Sequence, residues 1–252
     1  MWTSSIHRLP YQRRSHFNNY TIIKSFILDI LFPRYCLNCG CERSYLCQDC
    51  LATLDILESN FCLCKKSSRL PQAGKCKRCQ SEKLNGLYFA LSYQNNLVQK
   101  LIQQFKYEPF IKELAKSLAS LIITHFQLLN NKLDFSEFVL TPIPLDKKKL
   151  KQRGFNQAEE IGKELSNFLK IPLMSNVLLK IKETLPQIEL SEEEREENIK
   201  GVFSVRNNEL VSNKKILLVD DVYTTGSTME EGAKTLKESG AKEVWGVVVA
   251  RG

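Results

Sequence analysis

The sequence lacks any long uncharged hydrophobic run. The best candidate, residues 22–32, is interrupted by Lys24 and Asp29, whereas a membrane-spanning helix needs about 20 consecutive apolar residues. The same segment does not resemble a secretory signal peptide, because charges break its hydrophobic region and Pro33 and Arg34 follow in place of a small-residue cleavage site. We therefore expect a cytoplasmic protein with no membrane span.

Histidine is also scarce. The three histidines, His7, His16 and His125, lie outside every motif of the chain, so the sequence offers no evident dedicated general base. His125 falls within an apolar pattern typical of a helix, and we expect it to be structural. Any catalysis would then depend mainly on positioning and electrostatics.

Cysteine is absent after Cys79, and all nine cysteines lie between Cys36 and Cys79. Such clustering predicts a separate module. The cysteines form the pairs Cys36-x-x-Cys39, Cys47-x-x-Cys50, Cys62-x-Cys64 and Cys76-x-x-Cys79. A two-residue gap lets both sulfurs reach one metal ion from a tight turn, so the spacing predicts one or two structural zinc sites with four thiolates each. A module this small has little core, and the metal would hold it folded.

The second zinc site is the less regular one. Only one residue separates Cys62 from Cys64, which is tighter than a usual zinc turn, and Cys41 could replace a ligand or be a spare thiol. In the first zinc site, Gly40 directly follows the Cys36–Cys39 pair and supplies the permissive backbone that a metal-binding turn needs. Disulfides are the competing interpretation, which the expected cytosolic location disfavours.

Basic charge is concentrated before residue 86. Residues 1–85 hold 13 Lys and Arg against 6 Asp and Glu, while residues 86–252 hold 23 against 22. The basic residues beside the last two cysteine pairs are Lys65, Lys66, Arg69, Lys75, Lys77 and Arg78. They could face the phosphates of single-stranded DNA or form an ordinary solvated rim, and the sequence favours neither.

The pattern of elements predicts four regions. We expect disorder over 1–19, an amphipathic helix over 20–34 that packs on its own protein, the zinc-binding module over 35–85 and an α/β domain over 86–252. In the α/β domain, strands are predicted at 87–93, 138–145, 177–181, 202–205, 216–219 and 244–250, and helices at 97–107, 111–129, 156–170 and 227–239. This alternation predicts a parallel sheet with helices on both faces.

The most informative stretch of the chain is residues 215–228, where four apolar residues lead into two acids and a hydroxyl-rich, glycine-containing loop. Asp220 and Asp221 would lie at the carboxyl end of a buried strand, where open α/β sheets bind ligands. The helix that follows begins near Ser227, and its first amides together with its dipole would favour a phosphate.

Two adjacent carboxylates repel a bare phosphate, so their expected partners are sugar hydroxyls and a divalent cation. The run resembles the phosphoribosyl pyrophosphate (PRPP) signature of type I phosphoribosyltransferases. The resemblance implies that Asp220 and Asp221 bind the ribose hydroxyls and help to place Mg²⁺. It assigns the 5′-phosphate to Thr224, Thr225, Gly226, Ser227 and Thr228. The alternative is an ordinary strand end followed by a helix cap.

Two further segments narrow the resemblance. Pro-x-Pro-Leu at 142–145 precedes Arg-Gly-Phe-Asn-Gln at 153–157, and Thr184-x-x-Gln187 precedes Arg195 and Asn198. With the cysteine pairs and the acid pair, they resemble the ComF (competence protein F) family. That resemblance implies a type I phosphoribosyltransferase fold, a parallel sheet flanked by helices, behind a small N-terminal zinc-ribbon module. The Cys-x-Cys pair departs from the family's two-residue gap.

The resemblance also implies site residues and partners. Arg153 is the candidate for pyrophosphate charge and counts with the acid pair as catalytic. One of the lysines at 147–149 could serve instead, but a solvated turn is the favoured interpretation of that run. Phe155 is expected to be a core residue. The acidic segment 192–197 is expected to be mobile and to close over the substrate.

Two functions follow from the resemblance. One is PRPP binding with Mg²⁺ in a protein accessory to DNA uptake, which would meet single-stranded DNA and a helicase-like competence protein. The other is an active phosphoribosyltransferase that moves ribose 5-phosphate to an unidentified nitrogen nucleophile.

Overall fold

The computed structural model describes residues 33–129, 133–184 and 192–252. The predicted disorder over 1–19, and the predicted helix over 20–34 apart from its last two residues, lie outside this part of the chain. The chain divides into two compact units after Cys47, so the predicted module boundary at residue 85 lies inside the second unit. Within the described ranges, no helix combines the length and the apolar character needed to cross a bilayer.

The described part of the first unit, residues 33–47, is a short turn structure. Tyr35 and Glu42 form an isolated antiparallel bridge, and the amide of Cys36 donates to the carbonyl of Cys41 at 2.7 Å. Gly40 lies between the bridged residues Tyr35 and Glu42 and adopts a positive φ of 76°, a conformation that residues other than glycine rarely adopt. The sequence prediction of a permissive backbone directly after the first cysteine pair is therefore confirmed.

The second unit is built on a mixed sheet of seven strands. The strands of this unit are β1 Asn60–Phe61, β2 Arg69–Leu70, β3 Leu87–Ser92, β4 Phe138–Pro142, β5 Leu178–Lys180, β6 Phe203–Val205, β7 Lys215–Val219, β8 Val222–Tyr223 and β9 Glu243–Arg251. The sheet has the order β2-β1-β3-β9-β7-β4, with β8 paired to β9. Strands β3, β9, β7, β4 and β8 are parallel, and the short β1 and β2 add an antiparallel edge. Strands β5 and β6 were predicted as strands, but they pair with each other in a separate antiparallel sheet.

The helices that connect these strands are α1 Gln48–Ala52, α2 Asn96–Lys106, α3 Leu114–Leu128, α4 Lys147–Arg153, α5 Gln157–Leu169, α6 Glu192–Ile199 and α7 Ser227–Glu238. Helices α2, α3, α5 and α7 were predicted from their periodicity. Helix α4 was not predicted, and neither was α6, which contains the acidic segment expected to be mobile.

Local sequence explains where three helices begin. Asn95 accepts hydrogen bonds from the amides of Leu97 and Val98 and so caps α2. Asp146 caps α4 in the same way, and Asn156 caps α5. Each cap satisfies amides that have no partner within the helix. The cap at Asp146 allows the lysine-rich run after it to be helical despite its like charges.

The helices cover both faces of the sheet. A Cβ added at Gly232 of α7 would meet Leu218, while one added at Gly162 of α5 would meet Val219. Because successive residues of a strand point to opposite faces, these contacts place α7 on one face and α5 on the other. Strand β7 is buried from Ile216 to Val219, as the sequence predicts for a strand covered on both sides.

Candidate functional site

The acid pair lies at the carboxyl end of β7, as the sequence predicts. The amide of Asp220 donates to the carbonyl of Val247 on β9, and the carbonyl of Asp221 accepts from the amide of Val249. The amide of Asp221 also donates to Asp220 Oδ1 at 2.9 Å. Backbone pairing to the neighbouring strand therefore fixes both carboxylates at the edge of the sheet where ligands bind in α/β folds.

The loop after the acid pair leads directly into α7. Gly226 occupies the cap position of this helix with a φ of 87° and has no side chain to cap it; the amide of Ser227 donates only a long hydrogen bond, 3.5 Å, to the hydroxyl of Thr225. Nearby, the hydroxyls of Thr225 and Ser227 lie 2.9 Å apart. A helix start without a side-chain cap presents amide donors and the positive end of the dipole, which together suit an anion.

Tyr223 supports this loop from beneath. Its side chain is 5% exposed, and an added Cβ at Gly226 would collide with the tyrosine hydroxyl. Glycine is therefore required at position 226 for two reasons, its positive φ and the close approach of Tyr223. The Thr-Thr-Gly order of the loop thus has a structural cause.

Lys106 forms an ion pair with Asp221, one member of the acid pair. It is the last residue of α2, and its Nζ lies 2.8 Å from Asp221 Oδ1, with 29% of the lysine side chain exposed and only 5% of the aspartate side chain. Burial alone would lower the pKa of Lys106, but the attraction of Asp221 and then Asp220 raises it. The lysine is thus a firmly charged cation in contact with a buried carboxylate.

Burial and the neighbouring Asp221 raise the pKa of the Asp220 carboxyl from 3.8 to about 7, although Lys106 opposes the shift. Two carboxylates that share one partly buried site cannot both ionise freely. At neutral pH the pair therefore favours an added cation or hydroxyl donors, which would stabilise its ionised form.

A cavity of about 490 Å³ opens in front of the acid pair. Its lining includes all the residues predicted for PRPP: Asp220, Asp221, Thr224, Thr225, Gly226, Ser227, Thr228 and the candidate pyrophosphate residue Arg153. Lys106, Lys149 and Lys180 also line it. The cavity therefore combines two carboxylates, an uncapped helix start and four cations, a composition that suits a sugar bearing several phosphate groups.

Each residue of the Arg-Gly-Phe-Asn-Gln segment has a separate place. Arg153 ends α4 at the cavity, where burial lowers its pKa and Asp221 opposes that shift; its Nε is buried without a hydrogen-bond partner. Gly154 takes the left-handed conformation that ends α4. Phe155 is buried and contacts Phe105 with ring centroids 5.5 Å apart, which confirms its predicted core position. Gln157 donates to the carbonyl of Phe105 at 3.3 Å.

The lysine run at 147–149 is split between solvent and cavity. Lys147 and Lys148 are exposed, and Lys148 pairs with Glu183 at 2.8 Å. Only Lys149 lines the cavity. The predicted solvated turn is therefore a helix in which one of three lysines faces the site.

The Thr-x-x-Gln segment is only partly described. Thr184 lines the cavity and its hydroxyl accepts a hydrogen bond from Lys180 Nζ at 2.7 Å. Gln187 lies outside the described residues. Arg195 and Asn198 belong to α6, so the second half of the motif lies on a helix.

Eight cysteines form two groups, each able to hold a metal ion. The first group contains Cys36, Cys39, Cys47 and Cys50, and the second contains Cys62, Cys64, Cys76 and Cys79. Within each group the four sulfurs lie within 4.8 Å of one another. These groups match the predicted ligand sets, and the one-residue gap of the third pair does not keep it out of the second group. Cys41 belongs to neither group.

The sulfur separations fit thiolate coordination. They are 3.6 Å for Cys39–Cys47, 3.4 Å for Cys64–Cys76 and 3.7 Å for Cys76–Cys79. A tetrahedral site with Zn–S bonds of about 2.3 Å places its sulfurs about 3.8 Å apart, whereas a disulfide needs about 2.05 Å. None of the nine cysteines, all of which lie in the described ranges, forms a disulfide, so the geometry favours structural zinc over the disulfide alternative.

His125 has the structural role that the sequence predicts. It is buried on α3, and its Nδ1 bonds to the carbonyl of Leu57. Burial lowers its pKa, which keeps the ring neutral. This histidine does not line the cavity.

Sequence reasoning missed Lys106, Lys180 and Arg251. A lysine in the last turn of a helix ordinarily complements the helix dipole, so Lys106 carried no distinctive signal. Arg251, in contrast, stands at the carboxyl end of an apolar strand, the edge where ligands bind in this fold. That position could have drawn attention to it.

Comparison with known proteins agrees with this architecture. A family model described as the phosphoribosyl transferase domain matches residues 153–252. Competence protein F of Haemophilus influenzae is 31% identical over 232 residues, which cover 82% of this chain and 98% of that protein. Competence protein ComFC of Streptococcus pneumoniae is 29% identical over 81% of this chain and 86% of its own length. The DNA utilization protein YhgH of Salmonella typhimurium is 31% identical over 58% of this chain and 64% of its own length.

The similarity to competence protein F extends beyond the transferase domain, since 98% of that relative is covered. The sheet with helices on both faces, the acid pair at the end of β7 and the two cysteine groups occupy the places that the resemblance of the sequence implies. The chain therefore belongs to the ComF family, with a phosphoribosyltransferase-type domain behind a cysteine-rich N-terminal region.

Proposed function

We propose that this protein binds PRPP, or a related ribose 5-phosphate compound, together with Mg²⁺, and that it acts as an accessory protein in DNA uptake. The observation that carries the proposal is the convergence of acid pair, uncapped helix start and cations on one cavity of about 490 Å³. Each group complements a different part of the ligand: hydroxyls for the acids, 5′-phosphate for the loop and pyrophosphate for the cations.

The residues present fit a magnesium ion. Asp220 and Asp221 offer the carboxylate oxygens that Mg²⁺ prefers, and such sites usually combine one or two carboxylates with substrate phosphates. A bound Mg²⁺ would supply positive charge to the pyrophosphate and would favour ionised Asp220. Lys106 already balances Asp221, so we expect the ion to depend on the ligand's own oxygens and to bind weakly without PRPP.

Calorimetric titration of PRPP in the presence of Mg²⁺ tests the binding proposal. We expect saturable binding to the wild-type protein and none to Asp220→Asn or to Asp221→Asn, since each loses a carboxylate that grips the ribose. Arg206→Met is a matched surface control, because Arg206 is exposed and does not line the cavity. Absence of binding to the folded wild-type protein would refute the proposal.

The role in DNA uptake rests on the relatives named for competence and DNA utilization. In this proposal the protein meets single-stranded DNA through the basic residues beside the last two cysteine pairs, and a helicase-like competence protein is its protein partner. Lys66, Arg69, Lys77 and Arg78 are exposed, as phosphate contacts require. If they contact phosphates, binding of a single-stranded oligonucleotide must weaken steeply with salt; a flat salt response would refute this contact.

An active phosphoribosyltransferase is the second candidate, favoured by the cations around the cavity. Arg153, Lys149 and Lys180 could stabilise pyrophosphate as it leaves, and charge stabilisation in a water-poor site is a large part of such catalysis. In this reaction the bond from ribose C1 to the pyrophosphate oxygen breaks and a bond to a nitrogen nucleophile forms. Pyrophosphate release from PRPP during incubation with candidate amines and bases tests it, with Arg153→Met as the variant expected to lose the release.

A further inference from the structure

The second cysteine group, Cys62, Cys64, Cys76 and Cys79, shares its buried surroundings with the loop that precedes α7. Both lie in the second unit of the chain. Two chains of contacts run from segments of the cysteine group to the loop, one through Arg251 and the other through Glu230.

Arg251 holds the turn that carries the first two thiols. Its Nη1 donates to the carbonyl of Cys62 at 2.6 Å, and its Nη2 donates to the carbonyls of Leu63 at 2.9 Å and Cys64 at 2.6 Å. The arginine is 7% exposed. Three consecutive carbonyls can converge on one guanidinium only if the chain turns tightly, so the segment from Cys62 to Cys64 forms such a turn.

The same arginine supports Tyr223. Its guanidinium lies over the tyrosine ring, with Cζ 5.4 Å from the ring centroid, and the two residues are register partners on β8 and β9. Tyr223 in turn fills the space beneath Gly226. The path from the cysteine turn to the phosphate loop therefore consists of two buried side chains in direct contact.

Glu230 provides the second connection. It lies in the first turn of α7, and its Oε2 accepts hydrogen bonds from the amides of Lys83 and Leu84. Those amides follow Cys79 by four and five residues. The start of α7 is thus joined to the segment that leaves the last cysteine pair.

We propose that Arg251 is a positioning residue for the phosphate-binding loop, and that the second cysteine group, when it holds its metal, fixes Arg251 and hence the loop. Metal in this group keeps the Cys62–Cys64 turn in the conformation that presents three carbonyls to the arginine. Loss of the metal frees the turn, Arg251 loses its acceptors, and Tyr223 and the loop lose their support. The inference rests on the proposed binding of ribose 5-phosphate compounds by this loop.

The test compares Arg251→Met with Arg206→Met, an exposed arginine in the same unit. We expect Arg251→Met to lower PRPP affinity roughly tenfold, since a freed loop must be ordered again when the ligand binds. Arg206→Met should bind as the wild type does. Arg251→Lys, which retains the charge but not the fork of donors, should fall between them.

Cys64→Ser tests the metal directly. We expect this variant to lose one zinc per chain and to bind PRPP as weakly as Arg251→Met, while Cys41→Ser, which lies outside both groups, retains its zinc and its affinity. If Cys64→Ser does not fold, the arginine series still decides the matter. Wild-type affinity in either Arg251→Met or a zinc-depleted Cys64→Ser would overturn the proposal.

Amide hydrogen exchange separates this inference from the proposed function. Without any ligand, the amides of 224–229 should exchange faster in Arg251→Met and Cys64→Ser than in the wild type and in the two controls. Unchanged exchange at these amides would overturn the positioning role. If the two variants show this faster exchange but the wild-type protein binds no PRPP, the proposed function alone is refuted.

Discussion

Replacing Lys106 with methionine removes the cation that contacts buried Asp221. Breaking a buried ion pair by deleting one partner costs about 3–5 kcal/mol, whereas an exposed pair contributes about 0–1 kcal/mol. Since the aspartate side chain is 5% exposed and the lysine side chain 29% exposed, we expect an intermediate loss of about 2 kcal/mol. For a unit of this size that corresponds to a fall in Tm of about 4–8 °C.

The loss should depend on pH. Lys106 lowers the pKa of Asp220, against the raising effects of burial and of Asp221, so its removal raises the pKa of Asp220 further. A protonated acid needs no counter-cation. The destabilisation should therefore be largest at about pH 8 and should shrink as the pH falls through the pKa of Asp220, about 7, to about 5.5.

Denaturant unfolding of four proteins measures the effect: wild type, Lys106→Met, Asp221→Asn and the double variant. We expect a coupling free energy of about 2 kcal/mol between the two positions at about pH 8. Lys100→Met is the matched control, because Lys100 lies exposed on the same helix and should change stability by less than about 0.5 kcal/mol. A loss in Lys106→Met that is independent of pH and not relieved by Asp221→Asn would refute the reasoning.

Four further predictions concern the loop, the acid pair and the cysteines. Gly226→Ala should lower the free energy of unfolding by more than about 1 kcal/mol and abolish PRPP binding, because alanine opposes the positive φ and collides with Tyr223; wild-type stability in thermal unfolding would contradict this. The raised pKa of Asp220, about 7, means that Mg²⁺-dependent PRPP binding should strengthen as the pH rises from about 6 to about 8, and calorimetry that shows no change would contradict it. The same shift makes the folded state hold a proton that the unfolded chain releases near pH 3.8, so Asp220→Asn should stabilise the protein above neutral pH but not at acid pH. Elemental analysis should find two zinc ions per chain. One zinc ion would mean that one cysteine group binds no metal, and none would mean that neither group does.

The sequence predicts the strand, the loop and the helix start that form the site, because each is indicated by residues that are close together in the chain. Four apolar residues before two acids define a buried strand and its end, and Ser227 begins the helix where a hydroxyl and glycine loop predicts it. The cysteine spacing likewise predicts the eight ligands, which the structure divides into two groups. These features depend on neighbours in the chain, so pattern and structure agree.

What the sequence could not predict depends on contacts between distant residues. Lys106 and Asp221 are far apart in the chain and meet only because α2 ends beside β7. Arg251 and Cys62 are separated by 189 positions. Helix α4 was missed because the lysine-rich run also fits a solvated turn, and the cap from Asp146 shows why the helix begins there.

The most direct test of the central claim is a crystal structure of the protein with PRPP and Mg²⁺. The account predicts the 5′-phosphate against the amides and hydroxyls of 224–228, the ribose hydroxyls at Asp220 and Asp221, and the pyrophosphate toward Arg153. A ligand bound elsewhere, with this cavity empty at saturating PRPP, would contradict it.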